Sequence, residues 1–177
     1  RLLARIAIEV GIFDDAELLL QRALQLKPDF YSARLDYVSV LQKRQKFSLA
    51  FEEARALIQA APDDYNYRRL YANTCLDVGR NKEAIVVYND VLTVDQENPR
   101  ILLMCGHAAK TMGATDEAIE YYQRSYRARP SFGDAFWSLA NLKTYTLNKR
   151  ERQIASKSEL AADTSIDDRI HLNFALG

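Results

Sequence analysis

The chain has 177 residues and a formal charge of zero, from 24 Lys plus Arg against 24 Asp plus Glu; that balance argues against bulk nucleic-acid binding and against a polybasic membrane anchor. Its 48% hydrophobic and 27% charged residues are those of a folded chain, and no stretch approaches the roughly 18 apolar residues that span a bilayer. Six glycines and four prolines leave little turn chemistry for a many-stranded sheet, and two cysteines are too few for a disulfide framework. The opening Arg1-Leu2-Leu3-Ala4-Arg5 has neither a Met nor a signal-peptide layout, so the chain is expected to be a piece of a longer, cytoplasmic protein.

A step of 34 residues governs the pattern: Ala16, Ala50, Ala84 and Ala118 keep it. Gly11, Gly79 and Gly113 share a second column, with Gln45 as its exception. Pro28, Pro62 and Pro130 share a third, with Gln96 as its exception. Leu20, Ala54, Tyr88 and Tyr122 form an apolar column, as do Leu24, Ile58, Leu92 and Tyr126. Leu3, Tyr37, Tyr71, Cys105 and Leu139 form another, beside the mostly small Ala4, Val38, Ala72, Gly106 and Ala140. Small residues let helix axes approach, and large ones fill the grooves between ridges.

In chain order the step predicts helix pairs at about 1–11 and 14–26, 31–44 and 48–60, 65–78 and 82–94, and 99–112 and 116–128. The repeats then run over about 1–30, 31–64, 65–98 and 99–132, and a fifth first helix follows at about 133–146. Each glycine falls between the two helices of a pair, where a left-handed cap belongs. Asp14 with Glu17 reads as a capping box for the second helix. Each proline closes a unit. Residues 1–146 therefore read as one stacked array. After about Leu147 the register is expected to fail, because the alanine column lands on Arg152 in the charged run Lys149-Arg150-Glu151-Arg152. Residues 147–177 read as an irregular helical extension. It comprises a weak helix through Ala162, a break at Asp163-Thr164-Ser165, and a last helix from Ile166 to Leu176 capped by Ser165 with Asp168. That last helix carries Ile166, Ile170 and Phe174 on one face and is expected to be unpaired.

This helix-pair pattern resembles the tetratricopeptide (TPR) repeat family over residues 1–146. The resemblance implies an all-α fold: a right-handed superhelix of about four full helix pairs, an irregular fifth and a last unpaired helix. It also implies a concave groove, lined by the first helices, that takes extended peptides. In that register Arg5, Leu35, Ser39, Arg69, Asn73, His107, Lys110, Trp137 and Asn141 face the groove. Arg69 and Asn73 lie four apart on one helix face and resemble part of the clamp with which some members hold a peptide carboxylate. The columns for the rest of the clamp hold Met104, Asp134 and Ser138, so the full clamp is absent. Trp137, the sole tryptophan, has two readings: it packs under the tail after residue 147, or it anchors a partner.

A narrower pattern lies near the C-terminus. Phe136-Trp137-Ser138-Leu139-Ala140-Asn141-Leu142-Lys143-Thr144-Tyr145, followed later by Asp167-Asp168-Arg169-Ile170-His171-Leu172-Asn173-Phe174-Ala175-Leu176-Gly177, resembles bacterial proteins in which a TPR array precedes a sulfotransferase domain. That resemblance implies a catalytic domain beyond this segment, using phosphoadenosine phosphosulfate (PAPS) held by a glycine-rich loop at a helix N-terminus. The nearest basic glycine turn here, Gly79-Arg80-Asn81-Lys82, sits on the repeat's turn column and reads as structural. No cofactor is expected in this segment.

His107 and His171 lie in different helices, without the spacing of a metal site. The first reads as groove-facing; the second as a surface residue or a contact to a missing helix. Cys75 and Cys105 occupy core columns and read as small hydrophobes. Tyr37, Tyr71, Tyr88, Tyr122 and Tyr126 fill inter-helix grooves and do not form a base-stacking surface. The expected function is a non-catalytic protein- or peptide-binding scaffold that recruits or orients an acceptor for a sulfotransferase-type domain. Its expected partners are a protein or extended peptide and its own missing C-terminal domain, with no nucleic acid, membrane or metal. The alternative is a structural or oligomerisation module, a homodimer formed through the uncapped C-terminal end.

Overall fold

The computed structural model describes residues 1–177 and is all-helical, with eleven α-helices and no strand. They are α1 (Leu2–Glu9), α2 (Phe13–Leu26), α3 (Tyr31–Lys43), α4 (Phe47–Ala60), α5 (Tyr65–Asp77), α6 (Asn81–Val94), α7 (Pro99–Thr111), α8 (Thr115–Ala128), α9 (Gly133–Ala140), α10 (Lys149–Leu160) and α11 (Ile166–Leu176). None is long and apolar enough to cross a membrane. Two compact units divide the chain, Arg1–Val87 and Tyr88–Gly177, with the boundary inside α6.

The four inter-helix turns on the glycine column are copies of one motif. In each, the column residue donates to a carbonyl three back and the next residue to one five back: Gly11 to Ile8 and Ile12 to Ala7, then Gly79 to Leu76 and Arg80 to Cys75. This is the Schellman cap, which requires a left-handed residue. Gly11, Gly79 and Gly113 supply φ of 79°, 77° and 78°. Gln45 makes the same two-bond turn at φ 58°, so it carries the steric cost that glycine avoids.

In the first unit, successive helices pack in chain order from α1 to α5. The alanine column is buried throughout this unit: Ala16, Ala50 and Ala84 are fully buried, as are Leu20 and Leu57. Burying a leucine fully is worth about 1.5–3 kcal/mol. Asp14 and Glu17 do not form the expected capping box. The N-cap of α2 is Ile12, with no side-chain cap. Glu17 turns inward instead, 4% exposed, and meets the cations of the next turn. Arg44 donates at 2.5 Å, Lys46 at 2.8 and 3.0 Å, and Gln21 at 3.3 Å. Charge attraction outcompetes the cap, because the turn after α3 delivers two cations to one carboxylate.

In the second unit α7 pairs with α8, α8 with α9, and α11 lies against both α9 and α10. The last helix, expected to be unpaired, therefore has two partners. The 34-residue step explains this. Second helices start at Phe13, Phe47, Asn81, Thr115 and Lys149, so the backbone register expected to lapse after Leu147 continues. Only the side-chain pattern fails: α10 buries Glu151, Ala155 and Ser158, each one residue ahead of the column positions Arg152, Ser156 and Glu159. One residue is a rotation of about 100°. α11 then takes the place of a sixth first helix.

The fifth first helix, expected to reach about residue 146, stops at Ala140. Asn141 donates to the Trp137 carbonyl at 2.9 Å and Leu142 to that of Leu139 at 3.0 Å, and the chain turns so that Leu142 and Leu147 are buried. The turn also brings Tyr145 to Glu151. Asn148 and Glu151 form a full capping box at the start of α10. The Glu151 carboxylate, 1% exposed, accepts from Tyr145 (2.7 and 2.8 Å), Gln123 (3.1 Å), Tyr126 (3.2 Å) and the Asn148 N–H (2.9 Å), with no cation among its partners.

Two glycines fix close approaches in this unit. A Cβ on Gly106 would lie 2.3 Å from the buried Tyr122 ring, and one on Gly133 would lie 2.3 Å from the Asp168 carbonyl. At the second contact Asp168 of α11 accepts from the Gly133 N–H at 2.9 Å and from Arg129 at 2.9 and 3.0 Å. A side chain 35 residues away thus takes up one of the free donors of the first turn of α9. Ser165 caps α11 as expected, accepting from the Asp168 N–H at 3.1 Å.

Candidate functional site

The first-helix face of the first unit is tied by two polar straps. Arg1 donates to Asp36 at 2.5 Å, joining α1 to α3, and Gln42 donates to Asp77 at 2.6 Å, joining α3 to α5. Arg5 and Arg69 are exposed. Ser39 is exposed but turned back on its own helix, donating to the half-buried Leu35 carbonyl at 3.2 Å. Asn73 is half-buried, four residues from Arg69 on α5.

The second unit holds a denser cluster. On α7, Lys110 is exposed and His107 is half-buried, its Nδ1 2.9 Å from the Tyr122 hydroxyl. The imidazole crosses the Tyr122 ring edge-on at 5.5 Å. Burial lowers the His107 pKa; Lys110 lowers it further, and Asp134 opposes both. This imidazole is held neutral and works as a hydrogen-bonding group. On α9, Trp137 is 41% exposed and Asn141, the C-cap, is exposed. The structure gives Trp137 a partner that combines both sequence readings: it touches the tail, yet stays open. His171 lies against it, ring centroids 5.9 Å apart, and pairs through Nδ1 with Asp134 at 2.8 Å. His171, read from sequence as surface or as contact to a missing helix, belongs to this cluster. The repeat itself carries the signal for it: His171 stands one 34-residue step after Trp137 and Asp168 one step after Asp134.

The remaining candidates are packing residues. Cys75 and Cys105 are fully buried free thiols, and burial pushes both pKa values up to about 12. Such thiols are unreactive. No cluster of three or more His, Cys, Asp or Glu could hold a metal. The Gly79-Arg80-Asn81-Lys82 turn is one of the Schellman turns of the repeat, with Gly79 at φ 77°. The Arg80 guanidinium stacks over Phe51 at 4.6 Å and pairs with Glu83 at 3.2 Å, so its charge is already engaged.

Residues 1–65 and residues 99–132 each match a family model described as tetratricopeptide repeat. The human tetratricopeptide repeat protein 6 is 25% identical over 121 residues, 68% of this chain. The chain spans 23% of that relative's length. Among solved structures, MamA matches with a TM-score of 0.72 at 16% identity, over 98% of this chain and 92% of that one. YrrB, described as a TPR protein with an unusual peptide-binding site, matches with a TM-score of 0.69 at 17% identity, over 98% and 86%. MamA from Desulfovibrio magneticus RS-1 matches at 0.67 and 19% identity, over 72% of each chain. Sequence step, turn motif, core columns and fold agree: the chain carries tetratricopeptide repeats and folds as the helix-pair solenoid they build.

Proposed function

We propose that the chain is a protein-interaction scaffold that performs no chemistry and binds peptide segments on the exposed faces of its first helices. The observation that carries this is Trp137: a large aromatic left 41% exposed on a rigid helix, braced by His171 and Asp134. Half-open tryptophans on fixed backbone make anchors at low entropic cost. The peptide-binding site of the structurally similar YrrB supports the reading. Selection of peptides from a random display library on the intact chain, followed by titration against Trp137→Ala and against Arg69→Ala/Asn73→Ala, tests it. Trp137→Ala is expected to weaken the selected peptides about 30-fold, as hot-spot residues do. Affinities unchanged by both variants would refute it.

The finer reading extends this one. The segments 136–145 and 167–177 support a TPR region that presents an acceptor to a PAPS-dependent sulfotransferase domain in a longer protein. Tethering would raise acceptor concentration to about millimolar. Sulfuryl transfer to protein acceptors, assayed with and without residues 1–146, checks this; equal turnover on every acceptor counts against recruitment. A second reading, a homodimer through the C-terminal end, is favoured by one face of α11, where Ile166, Ile170 and Phe174 are 76%, 47% and 70% exposed. Light scattering of the chain and of Phe174→Glu separates it from a monomeric scaffold.

A further inference from the structure

The rotation of α10 creates a surface that the repeat pattern does not provide elsewhere. Second helices α2, α4, α6 and α8 bury their alanine-column residue completely. In α10 that position is Arg152, turned outward, and Leu160 behind it is 77% exposed. The resulting groove runs between α10 and the end of α11. Lys149, Arg152 and Lys157 line it as cations, and Leu147, Leu160 and Leu176 as apolar residues. None of the three cations forms an ion pair; of the α10 carboxylates, Glu151 is buried in its own network and Glu159 accepts from Asn173 of α11 at 3.2 Å.

The charge placement runs against helix stability. Lys149, Arg150 and Arg152 crowd the first turn of α10, where the positive end of the helix dipole favours carboxylates. The capping box takes care of the backbone donors there, so the cations have no capping role. A local rule broken without a structural return marks a functional surface.

We propose that this groove docks an acidic amphipathic helix of another protein: carboxylates against Lys149, Arg152 and Lys157, and a leucine-like side chain between Leu160 and Leu176. α10 has 12 residues and so offers about 18 Å, three turns of contact. A protein helix fits better than the two other anionic classes. Tyr126 and Tyr145, the nearby aromatics, are held by Glu151 and offer no stacking platform for bases. One exposed leucine, Leu160, beside the half-buried Leu176 makes too small an apolar face to seat a helix in a bilayer.

The test is fluorescence anisotropy on the intact chain with a labelled synthetic amphipathic peptide of about 14 residues, its polar face all glutamate. A twin with lysine on that face serves as control. The glutamate peptide is expected to bind, and its affinity to fall steeply between about 50 and 200 mM salt. Lys149→Glu/Arg152→Glu/Lys157→Glu should weaken it at least about tenfold, and Leu160→Asp should weaken it too. Circular dichroism should stay helical, since carboxylates at positions 149 and 152 in the first turn of α10 complement the dipole and offset the one at 157 in the last turn. Trp137→Ala should leave the affinity intact, which separates failure here from failure of the first-helix site. Equal binding of the lysine twin, indifference to the charge reversals, or tighter binding to phosphatidylserine vesicles or duplex DNA would overturn the proposal. So would light scattering that shows the groove filled by a second copy of the chain.

Discussion

Each unit buries one glutamate, and the two are stabilised in opposite ways. Glu17 in the first unit is held by charge, between Arg44 and Lys46, whose side chains remain 29% and 41% exposed. Glu151 in the second unit is held by neutral donors: two phenols, an amide and a backbone N–H. The first arrangement can be repaired by water when the carboxylate goes, because the cations already reach solvent. The second is harder to repair, because Tyr126 is buried and Tyr145 and Gln123 are only half-exposed. Partner exposure, more than the burial of the charge itself, sets what each glutamate is worth.

That contrast can be broken at several points. The largest expected effect is Glu151→Ala, at about 3 kcal/mol, against about 1 kcal/mol for Glu17→Ala, both read from urea unfolding. Equal losses would show that partner exposure does not matter. Salt sharpens the same test: at about 0.5 M NaCl the Glu17 contribution should shrink and that of Glu151 should hold. Next is Gly133→Ala. Helix propensity favours alanine by at most about 1 kcal/mol, less at this first position of α9, but the new methyl meets the Asp168 backbone at 2.3 Å. A net loss of about 2 kcal/mol is expected, with faster amide exchange in α11. If α11 stays protected, its docking is not what the glycine serves.

The third effect is alkaline. Burial, reinforced by the bond to Glu151, raises the Tyr145 pKa from 10.0 to about 12. Burial also raises Tyr122 to about 12. The folded chain therefore holds these protons longer than the unfolded one, so stability is full below about pH 10 and falls as pH climbs to about 12. Exchange should quicken first at the N-terminus of α10, where an ionised Tyr145 would face Glu151. The smallest effect is a gain: Gln45→Gly relieves the left-handed strain at φ 58° and should stabilise the first unit by about 0.5–1 kcal/mol in thermal unfolding.

The alanine, glycine and apolar columns were legible because they are local and repeated; they give the helix pairs and the turns. Four features were not. Gln45 breaks the glycine column in letters yet keeps its conformation, because the two hydrogen bonds of the turn enforce it. Glu17 looked like a cap because its true partners lie 27 and 29 residues away. The turn of α10 on its axis depends on Glu151 finding Tyr145 and Tyr126, a cluster with no periodic signature. At the candidate site the register placed Trp137 on its face, but the brace from His171 required following the step past the point where side chains stop repeating.

The bond from Asp168 to the Gly133 N–H sets an order of events. The first turn of α9 takes a cap from a helix that is translated later, so α9 stays incomplete while the ribosome makes the next 35 residues. An array that otherwise grows from its N-terminus must here wait for a later helix to fold back. A translational pause or a break between Ala140 and Ile166 would leave α9 frayed, and its tryptophan without the histidine that steadies it.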